Sequence, residues 1–259
     1  MAFRIRDAFR ILREAGPGQL ARFAGERLAS YRSFRRWVRS LPPETAIEDL
    51  IEVVVHRTRG ESQPVYAWQK EREILALLAR LAPLKPRRLL EIGTAAGGTL
   101  LLLSRVASPE ALLVSIDMPE GGFGGGYNLL RTGLYRAFAR GGQRIVLIRG
   151  DSHRQATRRR LAAALAGERL DFLFIDGDHS AAGVRQDFDD YAPFVRPGGL
   201  IALHDIRADE RGWSGEVHRV WPELAARFGG EELVDESGPP GYGIGLLRWP
   251  GEPGGNELD

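Results

Sequence analysis

The 259-residue chain contains no cysteine, which excludes disulfides, zinc–thiolate sites, iron–sulfur clusters and cysteine nucleophiles. It also lacks any long uninterrupted apolar run, so we expect neither a transmembrane helix nor a secretory signal peptide. Both absences fit a protein of the reducing cytoplasm, where we expect this chain to work. With 43% hydrophobic and 27% charged residues, it is long enough for one sizeable α/β domain plus an appendage.

Short apolar strands alternate with helices over residues 61–250, which we take as one domain followed by a Gly/Pro-rich flexible tail, 251–259. This alternation predicts a mostly parallel sheet with helices on both faces, and such sheets bind ligands where their strands end. The predicted strands are 88–92, 112–116, 145–148, 172–175, 200–203 and 244–247. The predicted helices are 66–82, 100–106, 128–140, 155–166, 183–192 and 216–228.

A glycine-containing loop, 91–98, follows the first strand and opens a helix. Its spacing differs from the dinucleotide fingerprint G-x-G-x-x-G, and the leading acid, Glu91, disfavours a pyrophosphate because like charges would meet. The loop suits a cationic ligand such as S-adenosylmethionine (SAM). The alternative is that Gly93 and Gly97 only form a strand–helix turn.

Two further strand ends extend the predicted cofactor site. Asp117 ends the second strand, where a carboxylate can accept both ribose hydroxyls, and Asp151-Ser152 ends the third, where an adenine would lie; the alternative for Asp117 is a helix cap. The predicted cofactor-binding residues are Glu91, Gly93, Thr94, Ala95, Gly97, Gly98, Thr99, Asp117, Met118, Asp151, Ser152 and Asp176.

Acids and histidines follow the next two strands. The run after 172–175 begins with Asp176 and includes His179, and the strand 200–203 is followed by His204 and Asp205. Neighbouring strand ends lie about 5 Å apart, so Asp176, His204 and Asp205 are predicted to converge on a metal, Mg²⁺ or another divalent ion. His179 is the predicted general base. The alternative is that the acids cap helices and His204 packs at the sheet edge.

Five segments together carry a resemblance to a known family: LLEIGTAAGGTLL, SIDMPEGGFGGGYN, LIRGDSH, DFLFIDGDHSAAGV and VRPGGLIALHDI. In this order they resemble the class I SAM-dependent methyltransferases of the cephalosporin-hydroxylase-like and macrocin-type sugar O-methyltransferase group. The resemblance implies a Rossmann-like sheet of seven strands with the last antiparallel. It also implies Mg²⁺ held by Asp176 and Asp205, with His179 as base.

Two departures from the family pattern stand out. His204-Asp205 replaces an acidic pair, which puts the metal preference in question, and Ala181-Ala182 replace a Tyr-Glu pair beside the site. The resemblance favours methyl transfer to a hydroxyl of a small molecule, sugar or glycolipid. The alternatives are a metal-dependent hydroxylase on the same fold and a catalytically degenerate SAM-binding protein.

Several other features have two interpretations each. The run 121–127 is predicted to be either a lid over SAM or a plain connecting loop. For His153, a surface position is favoured over one beside the adenine. For Trp213, His218 and Trp221, helix packing is favoured over lining the acceptor pocket.

Residues 1–60 are predicted to be an arginine-rich helical appendage, with ten arginines against three acids in residues 1–40. Apolar spacing predicts helices over 2–14 and 19–40, separated by a break at Gly16-Pro17-Gly18. A cap over the acceptor site or a homo-oligomer interface is the favoured role, and contact with the inner membrane face is the rival. Nucleic acid is not an expected partner, because a strong aromatic-on-basic pattern is missing.

Overall fold

A computed structural model describes residues 5–56, 64–119, 127, 129–210, 212, 214–237 and 240–251. Its centre is a seven-stranded sheet of order β3-β2-β1-β4-β5-β7-β6, in which β7 runs antiparallel to both of its neighbours. This confirms the predicted fold class and the reversed last strand. The strands are β1 Arg88–Ile92, β2 Leu112–Asp117, β3 Arg144–Arg149, β4 Leu170–Ile175, β5 Val195–Arg207, β6 Gly230–Leu233 and β7 Tyr242–Arg248.

Helices cover both faces of this sheet, and each face has its own apolar core. One core holds residues of the helices within 5–135, and the other holds residues of the helices within 155–228. Both faces of the central strands are therefore buried, which is why they read as continuous apolar runs. The helices are α1 Ile5–Ser40, α2 Ile47–Ile51, α3 Glu71–Leu81, α4 Gly98–Val106, α5 Leu129–Tyr135, α6 Gln155–Leu165, α7 Ala181–Tyr191 and α8 Val217–Phe228.

The register of the parallel strands brings the predicted site residues to one edge. Ile92 of β1 pairs with Ile116 of β2 and with Ile175 of β4. Ile175 in turn pairs with Leu203 of β5. The residues that follow these positions therefore leave the sheet side by side.

The predicted break in the N-terminal segment is wrong, because α1 continues through Gly16-Pro17-Gly18 as one helix of 36 residues. Proline removes one helical hydrogen bond and crowds the preceding turn, but Pro17 is exposed here, so water can reach the backbone carbonyl that it leaves free. The later part of α1 joins the core through Tyr31 and Val38.

Strand β6 is missing from the sequence prediction. Its residues, Gly230 to Leu233, are exposed except for Leu233, as is typical of an edge strand protected by charge. The sequence of this strand therefore carries no apolar pattern. Strand β5 extends to Arg207, four residues beyond the predicted end, and His204 and Asp205 lie within it.

None of the helices in the described part of the chain has the length and apolar character that a membrane crossing requires.

Two glycines give opposite predictions for replacement by alanine. At Gly245 an added Cβ would lie 2.5 Å from the buried Trp221 ring, whereas at Gly18 nothing lies within 4 Å. We expect Gly245→Ala to destabilise the chain by about 1–3 kcal/mol through overpacking. Gly18→Ala, in an exposed helix interior, should stabilise it by about 0.5–1 kcal/mol.

Urea unfolding of the two variants beside the parent chain measures both effects. Loss of stability in Gly18→Ala would contradict a continuous α1, and an unchanged midpoint in Gly245→Ala would contradict the close packing of Trp221 on β7.

Candidate active site

A cavity of about 600 Å³ opens at the carboxyl edge of the sheet. Its wall is formed by the ends of β1, β2, β4 and β5, by the loop after β3, and by one residue each from the segment before α3 and the start of β7. The lining residues are Trp68, Ile92, Gly93, Ala95, Ile116, Asp117, Met118, Gly150, Asp151, Ser152, His153, Asp176, Gly177, Asp178, His179, His204, Asp205 and Tyr242.

The loop after β1 lies directly against the loop after β4. Gly93 has φ +89°, and a Cβ built on it would lie 1.9 Å from the carbonyl oxygen of Asp176. Only glycine permits this conformation and this contact. The predicted cofactor loop is therefore held beside the predicted metal ligand.

Ala95 is the strained point of the cofactor loop, with φ +44°. Its carbonyl accepts hydrogen bonds from Arg131 Nη1 (3.0 Å) and the Tyr135 hydroxyl (2.8 Å). Its N–H donates to Asp117 Oδ2 at 2.8 Å. Arg131 also donates to the Tyr31 hydroxyl of α1 at 3.0 Å, so the N-terminal helix supports the loop through one buried side chain.

Asp117 ends β2 with both carboxylate oxygens facing backbone donors. Oδ2 accepts from Ala95, and Oδ1 accepts from the Met118 N–H at 2.7 Å. These two backbone contacts fix the carboxylate at the cavity wall.

His153 lines the cavity beside Asp151 and is held from behind. Its Nε2 lies 3.2 Å from the Gly183 carbonyl and 3.3 Å from Asp187 Oδ1. Burial raises the pKa of Asp187 to about 6. His153 is therefore half-buried in the cavity wall, and its position beside a nucleotide stays a prediction.

Glu91 lies inside β1, with only 1% of its surface exposed. Neither of its carboxylate oxygens has a hydrogen-bond partner among the described residues. Burial raises the pKa of Glu91 well above its ordinary value, and the nearby charges of Asp176 and Asp117 raise it further. The protonated form is therefore strongly favoured over the ionised one.

The structure divides the predicted cofactor residues into two groups. Seven lie on the cavity wall: Gly93, Ala95, Asp117, Met118, Asp151, Ser152 and Asp176. Five lie behind it: Glu91, Thr94, Gly97, Gly98 and Thr99. Thr94, for example, is buried and hydrogen-bonded to the Tyr127 hydroxyl at 3.0 Å.

All four predicted metal and base residues meet on the cavity wall. Asp176 Oδ1 lies 3.1 Å from His204 Nδ1 and 3.4 Å from His179 Nε2. Asp205 Oδ2 lies 3.1 Å from His179 Nδ1. Asp205 has φ +63°, an uncommon backbone conformation of the kind that clusters at functional sites.

The charges of this cluster compensate one another. Burial alone would raise the pKa of Asp176, but His204 and His179 hold it well below its ordinary value. Burial would likewise lower the pKa of both histidines, but the two carboxylates raise it instead, most strongly for His204. The two carboxylates therefore favour the protonated, positively charged form of both histidines.

The donor set fits a divalent cation. Ligand atoms of Asp176, His179 and Asp205 all lie within 4.8 Å of one another. Two hard oxygens with one imidazole suit Mn²⁺ or Fe²⁺ as well as Mg²⁺. The structure brings His179 into this set, whereas the prediction used His204, whose side chain is only 2% exposed.

Trp68, Tyr242 and Gln69 are site residues that the sequence prediction missed. Trp68 and Tyr242 add aromatic walls to the cavity. Gln69 lies behind the wall and donates to Asp176 Oδ2 at 2.9 Å. No motif marks these residues, since they lie outside the strand ends on which the prediction was based.

The other predicted features have mixed outcomes. The lid prediction falls mainly on residues outside the described part of the chain, although Tyr127 is buried. Trp213 also lies outside it. Trp221 is buried in the core and donates to Glu232 at 2.8 Å, which agrees with the packing interpretation. His218 is half-buried and does not line the cavity.

The sheet order and the site at its carboxyl edge define the class I methyltransferase fold. Residues 90–206 match a family model described as a methyltransferase domain. In sequence, the chain is 31% identical over 80 residues to the uncharacterized protein y4gI of Sinorhizobium fredii (strain NBRC 101917 / NGR234), and this match covers 31% of the chain. It spans only 8% of that protein's length.

Solved O-methyltransferases share the fold at low sequence identity. The enzyme TomG from Streptomyces achromogenes, involved in tomaymycin synthesis and solved with SAM, is 19% identical with a TM-score of 0.51, covering 80% of this chain and 92% of its own. An O-methyltransferase from Bacillus cereus, solved with the demethylated product SAH, is 17% identical with a TM-score of 0.51, covering 85% and 99%.

The buried Glu91 generates a pH-dependent prediction for Glu91→Gln. A raised folded-state pKa lowers the stability of the native chain once the pH exceeds the unfolded-state value near 4.3. At pH 7 the neutral amide should therefore stabilise the chain, by about 1 kcal/mol or more, since one pKa unit corresponds to about 1.4 kcal/mol. Below pH 4 both states hold the proton, and the gain should vanish.

Urea unfolding at pH 7 and below pH 4 measures this difference, with Glu110→Gln as the exposed carboxylate control. An equal effect of Glu91→Gln at both pH values would rule out a buried ionisation as its cause.

Proposed function

We propose that the chain is a SAM-dependent O-methyltransferase that transfers a methyl group to a hydroxyl of a small molecule, sugar or glycolipid. The observation that carries this proposal is the contact between the two loops. Gly93, in the loop that would hold SAM, lies against the backbone of Asp176, in the cluster that would receive the acceptor. The methyl donor and the hydroxyl would therefore meet in one cavity. The methyltransferase-domain match over residues 90–206 supports this interpretation.

The cofactor would lie along the wall formed by the ends of β1, β2 and β3. Asp117 would accept the ribose hydroxyls, and Asp151 with Ser152 would face the adenine. TomG and the Bacillus cereus enzyme were solved with SAM and SAH, and their shared fold favours the same ligand here. Glu91 lies behind this wall, and in its protonated form it brings no charge to the loop.

The reaction forms a bond between the acceptor oxygen and the methyl carbon and breaks the bond from that carbon to sulfur. The products are the methyl ether and SAH, and His179 would take the hydroxyl proton. Asp176 and Asp205 would hold a divalent cation, which when bound supplies Lewis acidity that lowers the pKa of a hydroxyl. His179 cannot be base and ligand together, because a coordinated nitrogen has no lone pair for a proton. We assign it as the base.

The site favours an acceptor with a flat face. Trp68 and Tyr242 present aromatic rings to the cavity, and such rings pack against sugar or aromatic faces.

A glycolipid acceptor would agree with a cytoplasmic protein that contacts the inner membrane face through the arginines of residues 1–40. A homo-oligomer through the same helix is the competing proposal. Flotation with anionic vesicles, compared with the sedimentation of the chain alone, separates the two.

Cofactor binding is tested by Asp117→Ala with Asp171→Ala as its matched control. Asp171 also accepts two backbone N–H groups, from Arg87 (2.7 Å) and Arg88 (2.9 Å), but at the opposite edge of the sheet. By calorimetry we expect Asp117→Ala to weaken SAH binding at least tenfold, since a site built for hydroxyls loses its acceptor. Asp171→Ala should bind SAH like the parent chain. Failure of the parent chain to bind SAH or SAM would overturn the proposed function.

The role of His179 is tested by His179→Gln. Removal of a general base should lower kcat by about 10²–10⁴-fold, while Mn²⁺ binding, followed by electron paramagnetic resonance, stays within twofold of the parent. Because the pKa of His179 is raised, the parent rate should rise with pH above 6.5, and the variant should lack this rise. Loss of Mn²⁺ binding in the variant would instead identify His179 as a ligand.

A metal-dependent hydroxylase is the second candidate, favoured by the two imidazoles that meet Asp176. Two histidines with one carboxylate are the ligands of many non-haem iron oxygenases. Turnover that needs O₂ and a reductant and leaves SAM unconsumed would establish this alternative.

A degenerate SAM-binding protein would bind SAH but tolerate Asp176→Ala without loss of cellular function.

A further inference from the structure

Gln69 is a buried amide with both of its ends in use. It is 1% exposed and lies two residues before α3. The Asp176 carboxylate can only accept, so the amide nitrogen must face it, and Nε2 donates to Oδ2 at 2.9 Å. The amide oxygen then faces α4 and accepts from the Thr99 hydroxyl at 2.7 Å. A single side chain therefore joins the first turn of α4 to Asp176.

The segment that carries Gln69, residues 64–70, is fixed against the cofactor loop. The Gly98 N–H donates to the Tyr66 carbonyl at 3.0 Å, and the Ala67 N–H donates to the Val54 carbonyl at 2.8 Å. A Cβ on Gly98 would lie 2.3 Å from the Tyr66 carbonyl carbon. The position of Gln69 relative to α4 is thus set by backbone contacts.

The two carboxylate oxygens of Asp176 therefore have different partners. Oδ2 is held by Gln69, while Oδ1 faces His204 at 3.1 Å and His179 at 3.4 Å. A carboxylate tied at one oxygen has a fixed rotation about its last bond. The other oxygen is then aimed at the cluster on the cavity wall.

We propose that Gln69 is a positioning residue that orients Asp176 toward the cation and acceptor site, with Thr99 fixing the amide from behind. The proposal rests on the proposed function, because it assumes that Asp176 takes part in that site. Gln69 does not line the cavity, so it acts through Asp176 alone. Outer partners of ligating carboxylates commonly change metal affinity by about 10- to 100-fold when removed.

The test compares Gln69→Met with Gln143→Met. Gln143 is also a buried glutamine, but its Nε2 bonds the carbonyls of Ser104 and Ser108, away from the site. We expect Gln69→Met to weaken Mn²⁺ binding by about tenfold or more, measured by electron paramagnetic resonance, with the SAH dissociation constant within about twofold. Gln143→Met should leave both values unchanged, although its thermal unfolding temperature should fall.

Thr99→Val provides a second variant, since it removes the hydroxyl and leaves Gln69 in place. It should weaken Mn²⁺ binding less than Gln69→Met, and the double variant should be no weaker than Gln69→Met alone, because both changes break one chain of contacts. Additive losses, or parent-like Mn²⁺ affinity in a folded Gln69→Met chain, would overturn the proposal.

If the parent chain binds SAH but no Mn²⁺, the metal part of the proposed function fails, and a crystal structure of Gln69→Met decides on Gln69. Displacement of Asp176 from His204 would support the positioning role. An unchanged Asp176 would overturn it.

Discussion

The contact between Gly93 and the Asp176 carbonyl is the constraint on which the rest of the site depends. No side chain fits at Gly93, where a Cβ would lie 1.9 Å from that oxygen. The contact exists because β1 and β4 are neighbours in the sheet, with Ile92 paired to Ile175. The proposed cofactor loop at Gly93 and the acidic cluster at Asp176, which are 83 residues apart in the chain, therefore share one wall. Function at this edge follows from strand order as much as from residue type.

Bringing so many acids to one edge creates an electrostatic problem, which the structure solves in two ways. Glu91 is buried, and the raised pKa that results favours its neutral form. Asp176 instead has its pKa held well below its ordinary value by two neighbouring imidazoles. Burial sets the first outcome and ion pairing the second, as expected for carboxylates in different surroundings. The acids at this edge are therefore either neutralised by burial or balanced by neighbouring imidazoles.

The sequence predicts the strand ends well because each central strand is a short apolar run buried on both faces, and the polar residue that follows it must leave the sheet. Prediction from the sequence fails where tertiary packing overrides the local pattern of apolar and helix-breaking residues. Pro17 does not end α1, and β6 has no apolar signature because it is a charged edge strand. Gln69 could not be found either, because a lone polar residue before a helix has no motif. Its role appears only when residues 64–70 are seen packed on α4.

His204 shows how a change in a family motif can be absorbed by the fold. An imidazole stands there in place of a carboxylate, and the structure buries it against Phe174 and Tyr242 with Nδ1 directed at Asp176. A third carboxylate at this point would add negative charge to a buried cluster, whereas the imidazole offsets it. Asp176, His179 and Asp205 then remain as the side chains of the cluster that approach one another within 4.8 Å, and the proposed cation would lie on the two acids. The substitution therefore places a buried imidazole beside Asp176 and preserves the pair of acids, Asp176 and Asp205, on the cavity wall.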